Sequence, residues 1–200
     1  GNIYLSFANY PAAMEYYQKG INIADDLNHN DILADFYNNM GELNTKLNKY
    51  DVASDYYNKG LHIREDAKDQ LGAAYILVNL SRLNISQKKF GLAKAYLDRA
   101  HEFYKDLGHN EGLYNVFVGY ASVESRQNKF LEAIEYYKQS AVFLHKIGTE
   151  YLGPTTILET DLFSNIGYCY LANQNYDLAE ENLLKSYHIA METKQLEFLK

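Results

Sequence analysis

The chain has no tryptophan, one cysteine and two prolines in 200 residues, and each scarcity removes a class of explanation. A lone thiol, Cys169, cannot close an internal disulfide. With no Cys/His cluster of metal-ligand spacing, the chain reads as one of a reducing compartment, and the cytoplasm is the expected location. Positive charge is also short. The net charge is −7, and residues 101–200 carry fourteen acidic against eight basic side chains, the first hundred twelve against eleven. A non-specific nucleic-acid binder needs the opposite balance, so no nucleic acid is expected as a partner. No run approaches the roughly 18 to 20 uninterrupted apolar residues of a membrane span, and the first residues lack the regions of a signal peptide. No membrane partner is expected.

Chemistry-bearing constellations are missing as well. The sequence holds no Gly-rich phosphate loop, no HExxH helix and no Gly-x-Ser-x-Gly elbow. His62, His101 and His188 fall near the same place on successive repeats. A helix-pair layer separates such equivalents by roughly 20 Å, so they cannot share one ion. His29, His109 and His145 lie near turns between repeats. Cys169 sits in Gly167-Tyr168-Cys169-Tyr170 with no histidine within a helical turn, which points to buried packing rather than a thiolate nucleophile. Asp25-Asp26, Glu65-Asp66 and Glu180-Glu181 are adjacent in sequence and diverge by about 100° around a helix, so each pair reads as solvated surface. No catalytic residue, metal or cofactor is expected.

What is present is periodic. An aromatic residue followed three positions later by alanine occurs at Tyr10/Ala13, Tyr50/Ala53, Phe90/Ala93, Phe130/Ala133 and Tyr176/Ala179. The first four pairs are 40 residues apart and the last is 46. Seven residues beyond each alanine stands a small residue: Gly20, Gly60, Ala100, Ser140 and Ser186. Nine before each aromatic stands another: Gly1, Gly41, Ser81, Ala121 and Gly167. Small residues at fixed places on successive helices let axes approach while large neighbours fill the grooves. The tyrosine pairs Tyr16-Tyr17, Tyr56-Tyr57 and Tyr136-Tyr137 recur at one point of the repeat and are assigned to packing. Asn48-Lys49, Lys88-Lys89, Asn128-Lys129 and Gln174-Asn175 supply turns within antiparallel hairpins, and Gly108 supplies a helix cap between two of them.

The spacing predicts an all-α solenoid of antiparallel helix pairs. It occupies residues 1–200 as one domain, with a partial repeat over 1–30, repeats over 31–69, 70–109, 110–149 and 155–194, and the start of another from 195. The six extra residues fall in 148–156, where Gly153-Pro154 should break or restart the helix.

The runs Tyr37-Asn38-Asn39-Met40-Gly41, Lys49-Tyr50-Asp51-Val52-Ala53 and Asp55-Tyr56-Tyr57-Asn58-Lys59-Gly60 resemble the tetratricopeptide repeat. A period of 40 exceeds that repeat's usual length of about 34 and implies longer helices. Lengthened repeats of this kind are similar to those of kinesin light chains and of bacterial signalling regulators.

The resemblance implies a right-handed superhelical solenoid in which the first helix of each pair lines a concave binding face. Taken at helical spacing, the outward stripes comprise Asp35, Asn39, Glu42 and Lys46; Tyr75, Asn79 and Arg82; Asn115, Ser122 and Arg126; and Asp161, Asn165 and Tyr168. Asn39, Asn79 and Asn165 stand two residues before the small slot. A carboxamide both donates and accepts, so such a ladder could hold the backbone of an extended peptide; solvating the helix or bonding to its neighbour is the plainer role. The expected function is a scaffold or sensor module that captures a protein or peptide segment. A regulatory fragment of a larger bacterial signalling enzyme or transcription regulator is the alternative, and a structural self-association module a further one.

Overall fold

The computed structural model describes residues 2, 5, 9–150 and 156–198, and nine helices are delimited among them. They are α1 (Tyr10–Asp26), α2 (Asn30–Lys46), α3 (Tyr50–Asp66), α4 (Gln70–Ser86), α5 (Phe90–Asp106), α6 (Asn110–Arg126), α7 (Phe130–Glu150), α8 (Thr156–Ala172) and α9 (Tyr176–Phe198). No strand occurs among the described residues. Hairpins form from α2 with α3, α4 with α5, α6 with α7, and α8 with α9. The fold is the all-α solenoid type that the spacing predicts. The chain divides into two compact units, Gly1–Leu107 with α1 to α5 and Gly108–Lys200 with α6 to α9.

One turn geometry recurs throughout. The helices α1 to α6 and α8 are each 17 residues long, and three residues follow each. The middle one is left-handed: Asn28, Asn48, Lys68, Lys88, Gly108, Asn128 and Gln174, with φ between 54° and 62°. In the turn after α2, the Lys49 amide donates to the Asn44 carbonyl at 2.8 Å and the Asn48 amide to the Thr45 carbonyl at 3.0 Å. These are the paired bonds of a Schellman motif, which satisfy carbonyls that a helix end leaves unpaired. The same two bonds close α1, α3, α4, α6 and α8. Turns within and between hairpins therefore share one form, and two steps of 17 plus three residues make the 40-residue period. Lysine in this backbone region costs about 1–2 kcal/mol, which the two closing bonds and a solvated side chain offset at Lys68 and Lys88. Inside the turns, Asn44 and Asn84 are buried, and their amides donate to the carbonyls of Met40 at 2.8 Å and Leu80 at 2.7 Å.

The small slots are where the helices touch. Ala13, Ala53, Ala93, Ala133 and Ala179 are buried, as are Gly41, Ser81, Ala121 and Gly167 on the first helices. A Cβ added at Gly41 would lie 2.6 Å from the ring of Tyr57, and one at Gly167 would lie 2.7 Å from Cγ of Leu183. The second member of each tyrosine pair, Tyr17, Tyr57 and Tyr137, is buried, while Tyr16 is exposed. Cys169 is buried too, held among the apolar side chains between α6, α7 and α8.

Two helices overrun the register. A twenty-residue step from Asn128 puts the next left-handed residue at Gly148, yet α7 continues to Glu150. The residues around Gly153-Pro154, and Gly1 in the first small slot, lie outside the described residues. A further repeat is expected from 195, but α9 runs on to Phe198 without a turn.

Candidate functional site

In the first unit, the predicted stripe residues lie on α2 and α4, largely engaged with protein neighbours. Asp35 is ion-paired with Arg64 of α3, whose guanidinium also holds Asp69 at 2.8 Å and the Asp31 carbonyl at 3.2 Å. Glu42 and Lys46 pair with each other at 3.5 Å. The Asn79 amide donates to Oδ1 of Asn38 on the neighbouring first helix at 2.9 Å. Asn39 is half-buried and Tyr75 is exposed. Arg82 and Glu42 stand around the buried Tyr57. Burial pushes that phenol up to about 12, Glu42 adds to the shift, and a hydrogen bond with Thr45 and the charge of Arg82 oppose it.

The second unit arranges the same repeat positions differently. Ser122 and Arg126 of α6, with Asn165 and Tyr168 of α8, border one cavity of about 480 Å³. Its remaining walls are Ser125, Asn128, Phe130, Tyr137 and Cys169, so the cavity lies between α6, α7 and α8. Two separate first helices thus bring four predicted residues to one place. Asn115 and Asp161 do not line it; the Asn115 amide donates to the Glu111 carbonyl at 3.0 Å, and Asp161 is exposed.

The cavity's floor is neutral at ordinary pH. Burial pushes the Tyr137 phenol up to about 12, the neighbouring Cys169 adds to this, and a hydrogen bond with Ser122 opposes it. Burial also raises the Cys169 thiol, against a weaker opposing contact with Ser125, whose Oγ lies 3.9 Å from Sγ. A buried thiol with a raised pKa is a poor nucleophile. The Ser122 hydroxyl donates to the Val118 carbonyl at 2.8 Å. Arg126 and Asn128 are exposed at the rim. Among the described residues, no group of three or more His, Cys, Asp or Glu side chains could hold a metal ion, and no helix is long and apolar enough to cross a membrane.

This hairpin geometry has a match in sequence. Residues 34–66, which span most of α2, its turn and α3, match the model of the tetratricopeptide repeat family. The hairpin of α2 and α3 is thus a repeat of the tetratricopeptide type. Solved structures superpose over nearly all of the chain. BtubC (BKLC) from P. vanneervenii aligns over 96% of this chain and 78% of its own, with a TM-score of 0.78 and 18% identity. The apo form of RapI aligns over 96% and 66%, with a TM-score of 0.72 and 16% identity. A Podosopora anserina putative kinesin light chain with nearly identical TPR-like repeats aligns over 96% and 92%, with a TM-score of 0.65 and 12% identity. At these identities the likeness is one of fold. No curated protein sequence matches the chain significantly.

Sequence reasoning missed Ser125, Asn128, Phe130, Tyr137 and Cys169 as cavity walls, because it drew each stripe on one helix alone. A signal was available. Where α2 has Glu42 four residues before Lys46, α6 has Ser122 four residues before Arg126, while α4 and α8 carry Ser86 and Ala172 in place of the base.

Proposed function

We propose that this protein is a scaffold or sensor module whose first-helix faces capture a segment of a partner polypeptide. The observation that carries this reading is the cavity of the second unit, where Ser122, Arg126, Asn165 and Tyr168 converge from two tetratricopeptide first helices. The carboxamides suit a backbone ligand because each offers a donor and an acceptor. Asn165 is exposed at the cavity, whereas Asn79 already spends one donor on Asn38. Asn165 therefore carries the larger share. A reducing, cytoplasmic setting belongs to the same reading and rests on the single, buried thiol.

The test is calorimetric titration of a partner peptide, once one has been captured, against Asn39→Ala, Asn79→Ala and Asn165→Ala. The exposed Lys138, ion-paired to Glu135 on α7, serves as the control through Lys138→Ala. Asn165→Ala should lose about 1–3 kcal/mol of binding, or roughly 5- to 150-fold in affinity, with little change in melting temperature. If Lys138→Ala weakens binding while the asparagine variants do not, the binding face lies elsewhere.

A further inference from the structure

We propose that copies of this chain associate edge to edge through the first unit, the acidic turn after α1 of one copy seating in a basic hollow between the turns after α2 and α4 of the next. This goes beyond the reading above and does not rest on it.

Because successive helices are antiparallel, the turns of the first unit fall at two edges. The turns after α2 and α4 share one edge and the turns after α1 and α3 the other, with 17-residue helices of about 25 Å between them. The two edges differ in charge. Residues 46–52 and 86–92 hold four lysines against one acid, Asp51, whereas residues 25–31 hold three aspartates and no lysine or arginine. Lys46 is answered by Glu42. Lys49, Lys88 and Lys89 are exposed and make no ion pair among the described residues, and the same holds for Asp25 and Asp26.

These charges stand against the preference of their own helices. Lys49 and Lys89 are the N-cap residues of α3 and α5, where the helix end is already positive, and neither caps its helix with its side chain. Asp25 and Asp26 close α1, where the helix end is negative. The repeat supplies an internal control. One repeat on, Glu65 is paired with Arg99, and Asp66 with His62 at 3.5 Å. At the positions equivalent to that arginine and histidine, Lys59 sits over the rings of Tyr37 and Tyr56, 5.7 and 5.5 Å from their centroids, and Asn22 accepts from the Gln18 amide at 3.0 Å. The first acidic turn therefore lacks the internal cations that the second one has. Charges that oppose their helices and gain nothing inside the chain are complementary to a partner of opposite sign.

Shape agrees with charge. Asn48, Lys49, Tyr50, Asp51, Val52 and Gln87 line an open hollow of about 520 Å³, and Val52 is 43% exposed. On the acidic turn Leu27 is 59% exposed, whereas Leu47, in the turn after α2, packs against the core. Seating Leu27 on Val52 brings Asp25 and Asp26 to the lysines around the hollow. Turn and hollow lie at opposite edges and cannot meet within one chain, so a second copy is the partner that satisfies both. Association of this kind joins unlike surfaces and runs on as an open chain rather than closing as a dimer.

Sedimentation velocity over a concentration series, at low and at high salt, tests this. The sedimentation coefficient of the parent should rise with concentration without levelling at a dimer, and high salt should suppress the rise. Lys49→Glu with Lys89→Glu, and separately Asp25→Lys with Asp26→Lys, should weaken association by about a hundredfold or more. Leu27→Ser should weaken it by about tenfold. Mixing the two charge-reversed variants should restore association, since one then offers a basic turn to the other's acidic hollow. Lys19→Glu with Lys138→Glu changes the net charge as much as the lysine pair does, on exposed residues away from both edges, and should leave association unchanged. Thermal unfolding checks each variant, and if a charge-reversed pair does not fold, the exposed Leu27→Ser carries the test alone. A parent that stays monomeric, association that survives the edge variants, mixed variants that remain apart, or a control that dissociates equally overturns the proposal. A monomeric parent that pellets with phosphatidylserine vesicles but not phosphatidylcholine vesicles, and ceases to do so with Lys49→Glu and Lys89→Glu, overturns it in favour of a membrane surface.

Discussion

Glu42, Thr45, Lys46 and Arg82 in the first unit stand at the same repeat positions as Ser122, Ser125, Arg126 and Tyr168 in the second. In the first, acid and base answer each other along α2, and Arg82 lends its charge to the surroundings of Tyr57. In the second, both the acid and one of the bases are replaced, and an uncharged-walled cavity with a single cation at its rim results. The comparison separates two jobs that one repeat performs. The positions that bring helices together change little between units, as Gly41 and Ala121 or Tyr57 and Tyr137 illustrate. The positions that face outward between first helices change in charge, and only these distinguish what each unit can bind.

The largest effect should come from attacking what the units share. Gly41 faces the Tyr57 ring with no room for a side chain, so Gly41→Leu should destabilise the protein by about 3 kcal/mol, the upper part of the usual range for overpacking. Ala121→Leu, against the equivalent Tyr137, should cost about 1–3 kcal/mol, and the same change at the exposed Ala95, Ala95→Leu, almost nothing. Denaturant titration checks all three, and an unchanged midpoint for both slot variants would mean that the two units do not pack by a common register.

Next in size is a shared sensitivity to alkali. Tyr57 and Tyr137 both titrate at about 12 in the fold, against 10.0 for an unperturbed tyrosine. A raised pKa means that the folded state holds its proton longer than the unfolded chain does. Stability is therefore complete below pH 10 and declines between pH 10 and about 12, by on the order of 2–3 kcal/mol for each ring. Melting temperature against pH should bend downward above 10. The double variant with Tyr57→Phe and Tyr137→Phe should shrink the bend and leave the share of Tyr114, also pushed up to about 12 by burial, and a bend that persists unchanged would assign it to other groups.

The smallest effect tests the difference itself. Glu42→Ser gives the first unit the second unit's residue and frees Lys46. The exposed pair is worth only about 0.3–0.5 kcal/mol, so thermal stability should scarcely move. A loss above about 1 kcal/mol in chemical denaturation, beyond what an exposed pair supplies, would show that Glu42 supports the core around Tyr57 rather than merely balancing Lys46.

The fold was legible because its signals are small residues, and small residues mark close approach whatever surrounds them. The 40-residue recurrence of alanine and glycine located the helix contacts, and Gly108 announced its own left-handed turn. The turns at Lys68 and Lys88 were legible but their left-handed residues were not, since lysine carries no preference for that backbone region; the turn bonds that end on the carbonyls of Arg64 and Asn84 hold them there. At Gly148 glycine permits a turn without requiring one, and α7 passes through it. The site was half legible. Ser122, Arg126, Asn165 and Tyr168 share stripes that helical spacing reveals. The depth between α6 and α8 does not follow from either stripe, because Tyr137, Phe130 and Cys169 set it from other faces.

The uniform turn bears on how such a chain can lengthen or shorten without coming apart. From Tyr10 to Lys129 every step of twenty residues reproduces the backbone, so a cut or insertion of that size there would leave each turn chemically intact. It would nevertheless exchange the two kinds of helix: a segment with its small slot placed like Gly41 would arrive where a slot like Gly60 is needed, and Tyr57 would lose the hollow that accepts its ring. Forty residues is the shortest change that restores both backbone and surface. The chain's backbone thus counts in twenties while its side chains count in forties, and only the slower count is compatible with a packed interior.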